Sequence, residues 1–153
     1  MTETPIYEVE VRGRPRPKGS GTVITSKSTG KPFFKQPKVL KQWRDDLRAA
    51  IQAHPPSMHR DQPIRLQIVF LLPMPKSKIR KRGYAEDQFP TSMPDLNKLV
   101  RAIEDEFTAK LYGDDSHITR SSERKRYTIG EPGVRIRAFV DVLTPEERTL
   151  YGG

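Results

Sequence analysis

The sequence predicts a small α/β (α+β) domain in which a mixed β-sheet packs against two main helices. Two segments carry apolar residues at the spacing of an amphipathic helix, and three others alternate between apolar and polar residues as half-buried strands do. Strands and helices follow each other along the chain in an order typical of a mixed sheet covered by helices. At 153 residues the chain is long enough for one domain with one hydrophobic core.

The N-terminal half supplies a strand, a hairpin and the first helix. Ile6–Val11 alternates in polarity and predicts a strand. Prolines and glycines make a loop of residues 12–21. Thr22–Ile24 and Pro32–Phe34 flank a turn sequence and predict a small hairpin. Apolar residues at helical spacing predict an amphipathic helix over Val39–Ala53, which the following prolines end.

The C-terminal half supplies the clearest strand, the second helix and two further strands. Ile64–Leu72 alternates regularly between apolar and more polar residues. Leu96–Leu111 places its apolar residues on one stripe, and the preceding Asp95 is a predicted N-cap. Ile118–Ile129 and Val134–Val142 predict two strands joined by a turn that contains glycine and proline.

We predict one domain over residues 1–143 and a frayed tail over residues 144–153. Inside the domain, residues 76–90 lack useful periodicity and predict a flexible basic loop. The cations of this loop are suited to gripping a nucleic acid backbone, and an ordinary solvated loop is the alternative.

Charge composition indicates a polyanionic partner. The chain has 28 Lys and Arg against 19 Asp and Glu, and this net charge of +9 favours phosphate backbones by releasing condensed counterions. A solvated basic surface is the alternative, and an RNA-binding module is disfavoured because no aromatic ribonucleoprotein signature is present. The absence of cysteine excludes disulfides, thiolate metal sites and cysteine nucleophiles, and it is compatible with the cytoplasm. We expect neither a signal peptide nor a membrane span.

Three carboxylates mark the candidate site. Asp95 lies at the start of the second predicted helix, and Asp114 and Asp115 follow its end. Clustered acids in a basic chain need a positive partner, and carboxylates suit Mg²⁺ because this ion prefers hard oxygen ligands. A straight, complete helix would hold the two positions ~24 Å apart, so the chain must reverse near Gly113 or the helix must end early. The alternative is that Asp95 is only an N-cap and that the Asp pair only forms a turn.

The stretch from Pro94 to Ile118 resembles the RusA family of Holliday junction resolvases. It begins Pro-Asp-Leu-Asn-Lys-Leu-Val-Arg-Ala and ends Tyr-Gly-Asp-Asp-Ser-His-Ile, with the family's spacing between the first Asp and the Asp pair. The resemblance extends more loosely over residues 5–141. It implies a RusA-like, homodimeric endonuclease that binds branched DNA in a bacterial or phage-infected bacterial cell. It further implies paired symmetric nicks in four-way junctions that depend on Mg²⁺, for which Mn²⁺ can substitute.

Site residues follow from position in this motif. The resemblance makes Asp95 and Asp115 metal-binding catalytic aspartates, with Asp114 as a neighbouring metal ligand. Asp105 falls on a further acidic position. Helical geometry places Asp105 on a face of the second helix away from the apolar stripe.

Two catalytic positions depart from the family pattern. Asn97 stands where the family has its second catalytic Asp, and Arg101 stands where it has a catalytic Lys. Arginine keeps the charge but replaces a point charge with a planar fork. An amide oxygen can coordinate a metal but brings no negative charge. We therefore expect weak Mg²⁺ binding and slow or absent cleavage with junction binding retained, and the rival interpretation is a non-catalytic branched-DNA-binding protein on the same scaffold.

The remaining cations form two predicted sets of phosphate contacts. Neutralising any member should weaken DNA binding almost uniformly across sequences and flatten its salt dependence. The first set is Arg12, Arg14, Arg16, Lys18, Lys76, Lys78, Arg80, Lys81, Arg82 and Lys98. The second set is Arg120, Arg124, Lys125 and Arg126.

Overall fold

The computed structural model describes residues 3–19, 22–35, 37–82 and 88–151, and within these ranges the side chains of 22, 23, 33–35, 80–82 and 151 are not described. The described chain forms six strands and four α-helices. They are β1 (Tyr7–Arg12), β2 (Thr22–Thr25), β3 (Pro32–Lys35), α1 (Lys38–Ala53), β4 (Ile64–Pro73), α2 (Lys76–Arg82), α3 (Leu96–Phe107), β5 (Ile118–Thr128), β6 (Gly133–Val140) and α4 (Pro145–Tyr151). A short 3-10 turn, Asp115–His117, precedes β5.

Four of these strands form a mixed sheet in the order β1-β6-β4-β5. β5 runs parallel to β4, whereas β6 is antiparallel to both β4 and β1. The remaining strands, β2 and β3, form the predicted hairpin as a separate antiparallel pair. The prediction of a small α+β domain with a mixed sheet is therefore confirmed.

The hydrophobic core lies between one face of the sheet and helices α1 and α3. The alternating residues of β4 contribute Ile64, Leu66, Ile68 and Phe70, all at most 1% exposed. Trp43 of α1 is 1% exposed and packs in the same cluster, as its place on the apolar stripe predicts. Burying each such side chain contributes roughly 1.5–3 kcal/mol, so this face fixes where both helices lie.

The parallel pairing of β4 and β5 determines where helix α3 begins. Parallel strands need a crossover connection, and here residues 74–117, including α2 and α3, supply it. The crossover returns the segment before α3 to the carboxyl end of β4. Pro90 and Pro94 there line one pocket with Leu72 and Pro73 from the end of that strand.

Two segments contain helices that the sequence did not predict. Part of the predicted basic loop over 76–90 is helical, because α2 begins at Lys76 and its Ile79 packs against a small cluster with Leu72 and Tyr127. The predicted frayed tail contains α4. Thr144 and Glu147 form a reciprocal capping box there, with N–H to side-chain oxygen distances of 2.7 and 3.2 Å. Within the described ranges, no helix has both the length and the apolar character needed to cross a membrane.

Candidate active site

An open cleft of about 760 Å³ lies beside the first turns of α3. Asp95, Asn97 and Arg101 all line it, so the structure brings together three of the four predicted catalytic residues. They share the cleft because positions 97 and 101 are one helical turn apart and position 95 immediately precedes the helix. Lys98 and Lys125 add two cations to the same lining.

Asp95 occupies the N-cap position of α3, as predicted, but its carboxylate does not cap. Within the described residues, no side-chain capping hydrogen bond is made by this group. Its side chain is 54% exposed, and Lys98 Nζ lies 3.7 Å from Oδ2. The carboxylate is therefore open to the cleft, and an N-cap function alone does not account for it.

Lys125 fixes the backbone that leads into Asp95. This residue is on β5, and its ammonium donates hydrogen bonds of 3.0 Å to the carbonyl oxygens of Ser92 and Pro94. The structure gives Lys125 a positioning role, because it ties the sheet to the wall of the cleft. Since Lys125 also lines the cleft, its predicted phosphate contact stays a prediction.

The chain reverses direction directly after α3. The helix ends at Phe107, four residues earlier than the predicted Leu111, and Ala109 adopts a left-handed conformation with φ of 64°. The Ala109 N–H then donates to the Tyr112 carbonyl at 2.7 Å, and the buried Tyr112 hydroxyl donates to the Glu104 carbonyl at 2.7 Å. Burial, with Glu104 and then Asp115 nearby, raises the pKa of Tyr112, so its hydroxyl remains a donor. The structure therefore contains both of the features that the sequence offered as alternative ways to bring the acids closer together, an early helix end and a chain reversal.

The Asp pair forms a short turn after this reversal. Asp114 caps the 3-10 turn by accepting the Ser116 N–H at 2.8 Å, and this bond and the Ser116 side chain hold the pKa of Asp114 below its usual range. Asp115 is the first residue of the turn and is exposed. The alternative in which the Asp pair only forms a turn therefore accounts for Asp114, whereas the exposed carboxylate of Asp115 is accessible to a ligand.

Asp115 lies within electrostatic reach of an acidic group on α3. The pKa of Glu104 is raised, first by burial and then by the negative charges of Asp115, Glu123 and Asp105. Arg101 opposes this effect, which places the cleft arginine within reach of the same group. Arg101 therefore lines the cleft with Asp95 and also lies within electrostatic reach of Glu104.

The donor atoms of this site suit a hard divalent cation, but they do not form a complete cage. In the described part of the chain, no three His, Asp or Glu side chains converge closely enough to hold a metal ion. Mg²⁺ ordinarily takes one or two protein carboxylates and completes its shell with water and substrate phosphate. Burial is the main reason that the pKa of Glu104 is raised, and a bound cation would relieve the second cause, the repulsion by Asp115, Glu123 and Asp105.

The N-terminal loop, residues 13–19, is fastened onto α3. The Lys18 ammonium pairs with the Asp105 carboxylate, and the Lys18 N–H donates to the Lys98 carbonyl at 3.0 Å. Lys18 and Asp105 therefore form an ion pair that holds the loop, and the phosphate contact expected of Lys18 stays a prediction. Arg14 and Arg16, on the same loop, line a pocket next to the cleft.

The other predicted phosphate contacts fall into three groups. Lys76 is exposed at the start of α2, whereas Lys78 donates to the Tyr127 hydroxyl at 2.9 Å. Lys98 pairs with Asp95, as described above. The side chains at 80–82 lie outside the described residues, so the expectations for Arg80, Lys81 and Arg82 stay predictions.

Three residues of the site carry roles that the sequence did not reveal. Glu104 shares the polar side of α3 with Arg101, three residues earlier, and that spacing is a signal that could have identified it. Glu123 and the positioning role of Lys125 depend on how β5 lies beside α3. That relationship is not local in sequence, and no motif marks it.

Comparisons with known proteins identify the family of this chain. A family model described as endodeoxyribonuclease RusA matches residues 10–138, a range that includes the N-terminal loop from residue 13, the cleft and the Asp pair. The chain is also similar to the uncharacterized protein YqaN of Bacillus subtilis (strain 168), with 27% identity over 134 residues that cover 84% of this chain and 88% of that protein. The chain therefore belongs to the RusA family of endodeoxyribonucleases, and this membership indicates a Holliday junction resolvase nuclease.

Proposed function

We propose that this chain is a structure-specific endonuclease that binds four-way DNA junctions, with a Mg²⁺-dependent nicking activity that Asn97 weakens. The observation that carries the proposal is the shared cleft of Asp95, Asn97 and Arg101, which has the motif residues of a nuclease and a basic lining. A phosphodiester entering it would meet cations on both sides, from α3 and from β5.

Each residue has a separate role in this proposal. Asp95 and Asp115 are the principal acidic groups, and Asp114 assists while it also caps its turn. Arg101 contacts the scissile phosphate, where its planar fork can bind two phosphate oxygens. Asn97 offers an amide oxygen without a charge, so the site has one anion fewer than the family pattern.

Mg²⁺, or Mn²⁺ in its place, would be held by one or two of the predicted ligands Asp95, Asp114 and Asp115, with water and DNA phosphate completing its shell. When bound, such an ion supplies Lewis-acid stabilisation of the phosphoryl charge and activates water. Because the described acids do not form a closed cage, we expect the ion to bind much more tightly when DNA phosphate is present than when it is absent. Calorimetric titration of the protein with Mg²⁺, with and without a junction, tests this dependence.

Loss of one anion has opposite effects on binding and on cleavage. A carboxylate at position 97 would repel the phosphate backbone, so the amide eases DNA binding. The same change reduces the attraction for a divalent cation. We therefore propose junction binding at least as tight as that of the N97D variant, with slow or absent nicking.

Two symmetric nicks require two symmetric sites, so we propose that the active species is a homodimer. The endonuclease domain in this proposal spans residues 1–143. Sedimentation of the protein with and without a junction measures the stoichiometry, and one protomer per junction would contradict paired cleavage.

A second candidate function is a non-catalytic protein that binds branched DNA on the same scaffold, and Asn97 is the observation that favours it. A labelled four-way junction and a linear duplex of the same sequence separate the candidates. Gel shifts in EDTA measure selectivity, and Mg²⁺ addition measures nicking. Selective binding with nicking supports the enzyme, selective binding alone supports the second candidate, and equal binding to both DNAs contradicts both.

A further inference from the structure

A pocket of about 330 Å³ lies next to the cleft and has no role in the proposed chemistry. Ser92, Met93 and Pro94 border this pocket, and Ser92 and Met93 also border the cleft, so the pocket opens where the segment before Asp95 separates the two spaces. Its volume falls within the range of roughly 300–1,000 Å³ that is common for sites of small organic groups.

The lining of this pocket is rigid and largely apolar. Leu72 and Tyr127 contribute buried side chains, 5% and 7% exposed. Proline has a fixed φ and no backbone N–H, so walls built of prolines are stiff, flat and poor in donors. Six prolines line the space: Pro15, Pro17, Pro73, Pro75, Pro90 and Pro94.

Two arginines of the N-terminal loop complete the lining, and they lack an acidic partner. Among the described residues, no carboxylate lies within ion-pair distance of Arg14 or Arg16. Burial lowers the pKa of Arg16, and the positive charge of the neighbouring Arg14 lowers it further. The Lys18 contacts with Asp105 and Lys98 keep this loop against α3, so the two cations stay at the pocket.

We propose that this pocket binds a nucleobase that has left the stack beside the scissile phosphate, while Arg14 and Arg16 contact the phosphates on either side of it. Apolar walls suit the faces of a base, and the Ser92 and Tyr127 hydroxyls provide polar groups for its edge. Bases at a branch point are the least well stacked, so extruding one there costs least. This inference rests on the proposed function and adds a specificity site to it.

The test pairs altered DNA with altered protein. An abasic site is moved one nucleotide at a time through the positions that flank the branch point, and junction binding is measured in EDTA so that cleavage plays no part. The protein variants are P75F, which fills the pocket away from the cleft, and R16Q. S57F is the matched control, because Ser57 is exposed in the connection that leads to the opposite end of β4. Thermal unfolding verifies that each variant is folded.

For the native protein and for S57F, one abasic position should weaken binding by about fivefold, the lower end of what one bound base contributes. P75F should bind the intact junction about fivefold more weakly and lose its dependence on that position. 2-Aminopurine at the same position should brighten on binding to the native protein and not to P75F. R16Q should weaken binding to every junction.

The base-binding pocket would be overturned if the abasic site weakened binding equally at every position. It would also be overturned if P75F bound the junction as tightly, and brightened 2-aminopurine as much, as the native protein. In either case the proposed function would still stand, provided that the native protein binds the junction in preference to the duplex. Should native protein and S57F bind junction and duplex equally, the proposed function fails instead. Binding of a single-stranded oligonucleotide that contains 2-aminopurine then tests the pocket by itself. Fluorescence that brightens with the native protein but not with P75F supports the pocket, and fluorescence that brightens equally with both overturns it.

Discussion

The side-chain ammonium of Lys125 lies 3.0 Å from the backbone carbonyl oxygen of Pro94, to which it donates a hydrogen bond. A second bond of the same length joins it to the carbonyl of Ser92. Asp95 follows directly in the chain, so the edge strand of the sheet determines where the first carboxylate of the cleft is held. The position of the acid thus depends on a contact with a residue far away in sequence.

Replacing Lys125 by methionine should lower the free energy of unfolding by about 1–2 kcal/mol, because two carbonyls lose a charged donor. It should also weaken junction binding, since the segment that leads to Asp95 loses its anchor. Urea unfolding measures the first effect and a gel shift the second. K31M, an exposed lysine on the hairpin turn, is the matched control. Equal stability of the two variants would contradict the anchoring role.

Asp105 provides a test in which simple electrostatics and loop positioning predict opposite results. Removing a carboxylate near DNA should tighten binding, but D105N also frees Lys18 and the N-terminal loop. We expect D105N to weaken junction binding by about twofold to fivefold, in line with a half-exposed ion pair worth up to about 1 kcal/mol. D61N, at an exposed site in the connection before β4, should not weaken it.

A double-mutant cycle with K18M distinguishes positioning from charge. The two changes should not add, because either one alone releases the loop. Fully additive losses of junction binding would contradict the Lys18–Asp105 contact as the feature that holds the loop.

Glu104 predicts a dependence of stability on pH. Its folded pKa is raised, so the folded chain binds a proton more tightly than the unfolded chain between the two pKa values. The stability that this proton provides is present below the ordinary glutamate pKa and is lost as the pH rises through the raised value. E104Q should therefore increase the Tm at pH 7 by about 2–4 °C and leave it unchanged at acidic pH.

Thermal melts of E104Q between about pH 4 and pH 8 measure this effect, with E146Q on α4 as the exposed control. A gain in Tm that is equal at all pH values, or one that grows toward acid, would contradict the acidic cluster of Glu104 and Asp115.

Glu106 holds helices α1 and α3 together through buried charge. Its carboxylate is 3% exposed and accepts from Arg44 and Arg48 at 3.3 Å and from Lys110 at 3.2 Å. E106A should lower the free energy of unfolding by about 3 kcal/mol, because three cations lose a shared buried partner. Chemical denaturation measures this loss. E146A should change stability by less than about 0.5 kcal/mol, and a similar value for E106A would show that the buried cluster contributes little.

The sequence predicted the elements whose pattern is local. Apolar periodicity located α1, the start of α3 and the strand β4, and Trp43 lies in the core as its spacing indicated. The motif predicted that Asp95, Asn97 and Arg101 belong together, and they share one cleft. Thr144 and Glu147 also have the local spacing of a capping box, which is a sequence signal for α4 in the segment predicted as a frayed tail.

Features that depend on distant contacts were not predictable from the residues alone. The end of α3 at Phe107 depends on the Tyr112 hydroxyl, which reaches back to the Glu104 carbonyl. A short turn connects β5 directly to β6, but these two strands are not neighbours in the sheet because β4 lies between them. The contacts of Lys18 with Asp105 and of Lys125 with the Pro94 carbonyl were not predictable, because charge composition carries no information about which carboxylate or carbonyl lies nearby.

The most direct test of the central claim is single-turnover nicking of a labelled four-way junction by native protein and by N97D, in Mg²⁺ and with EDTA as the blank. We expect N97D to nick the junction at least about tenfold faster than the native chain. Adding D95N to N97D should abolish this gain in rate. N97D should bind the junction no more tightly than the native chain does. Equal nicking by both forms, or none by either, would contradict the claim that Asn97 is what limits this site.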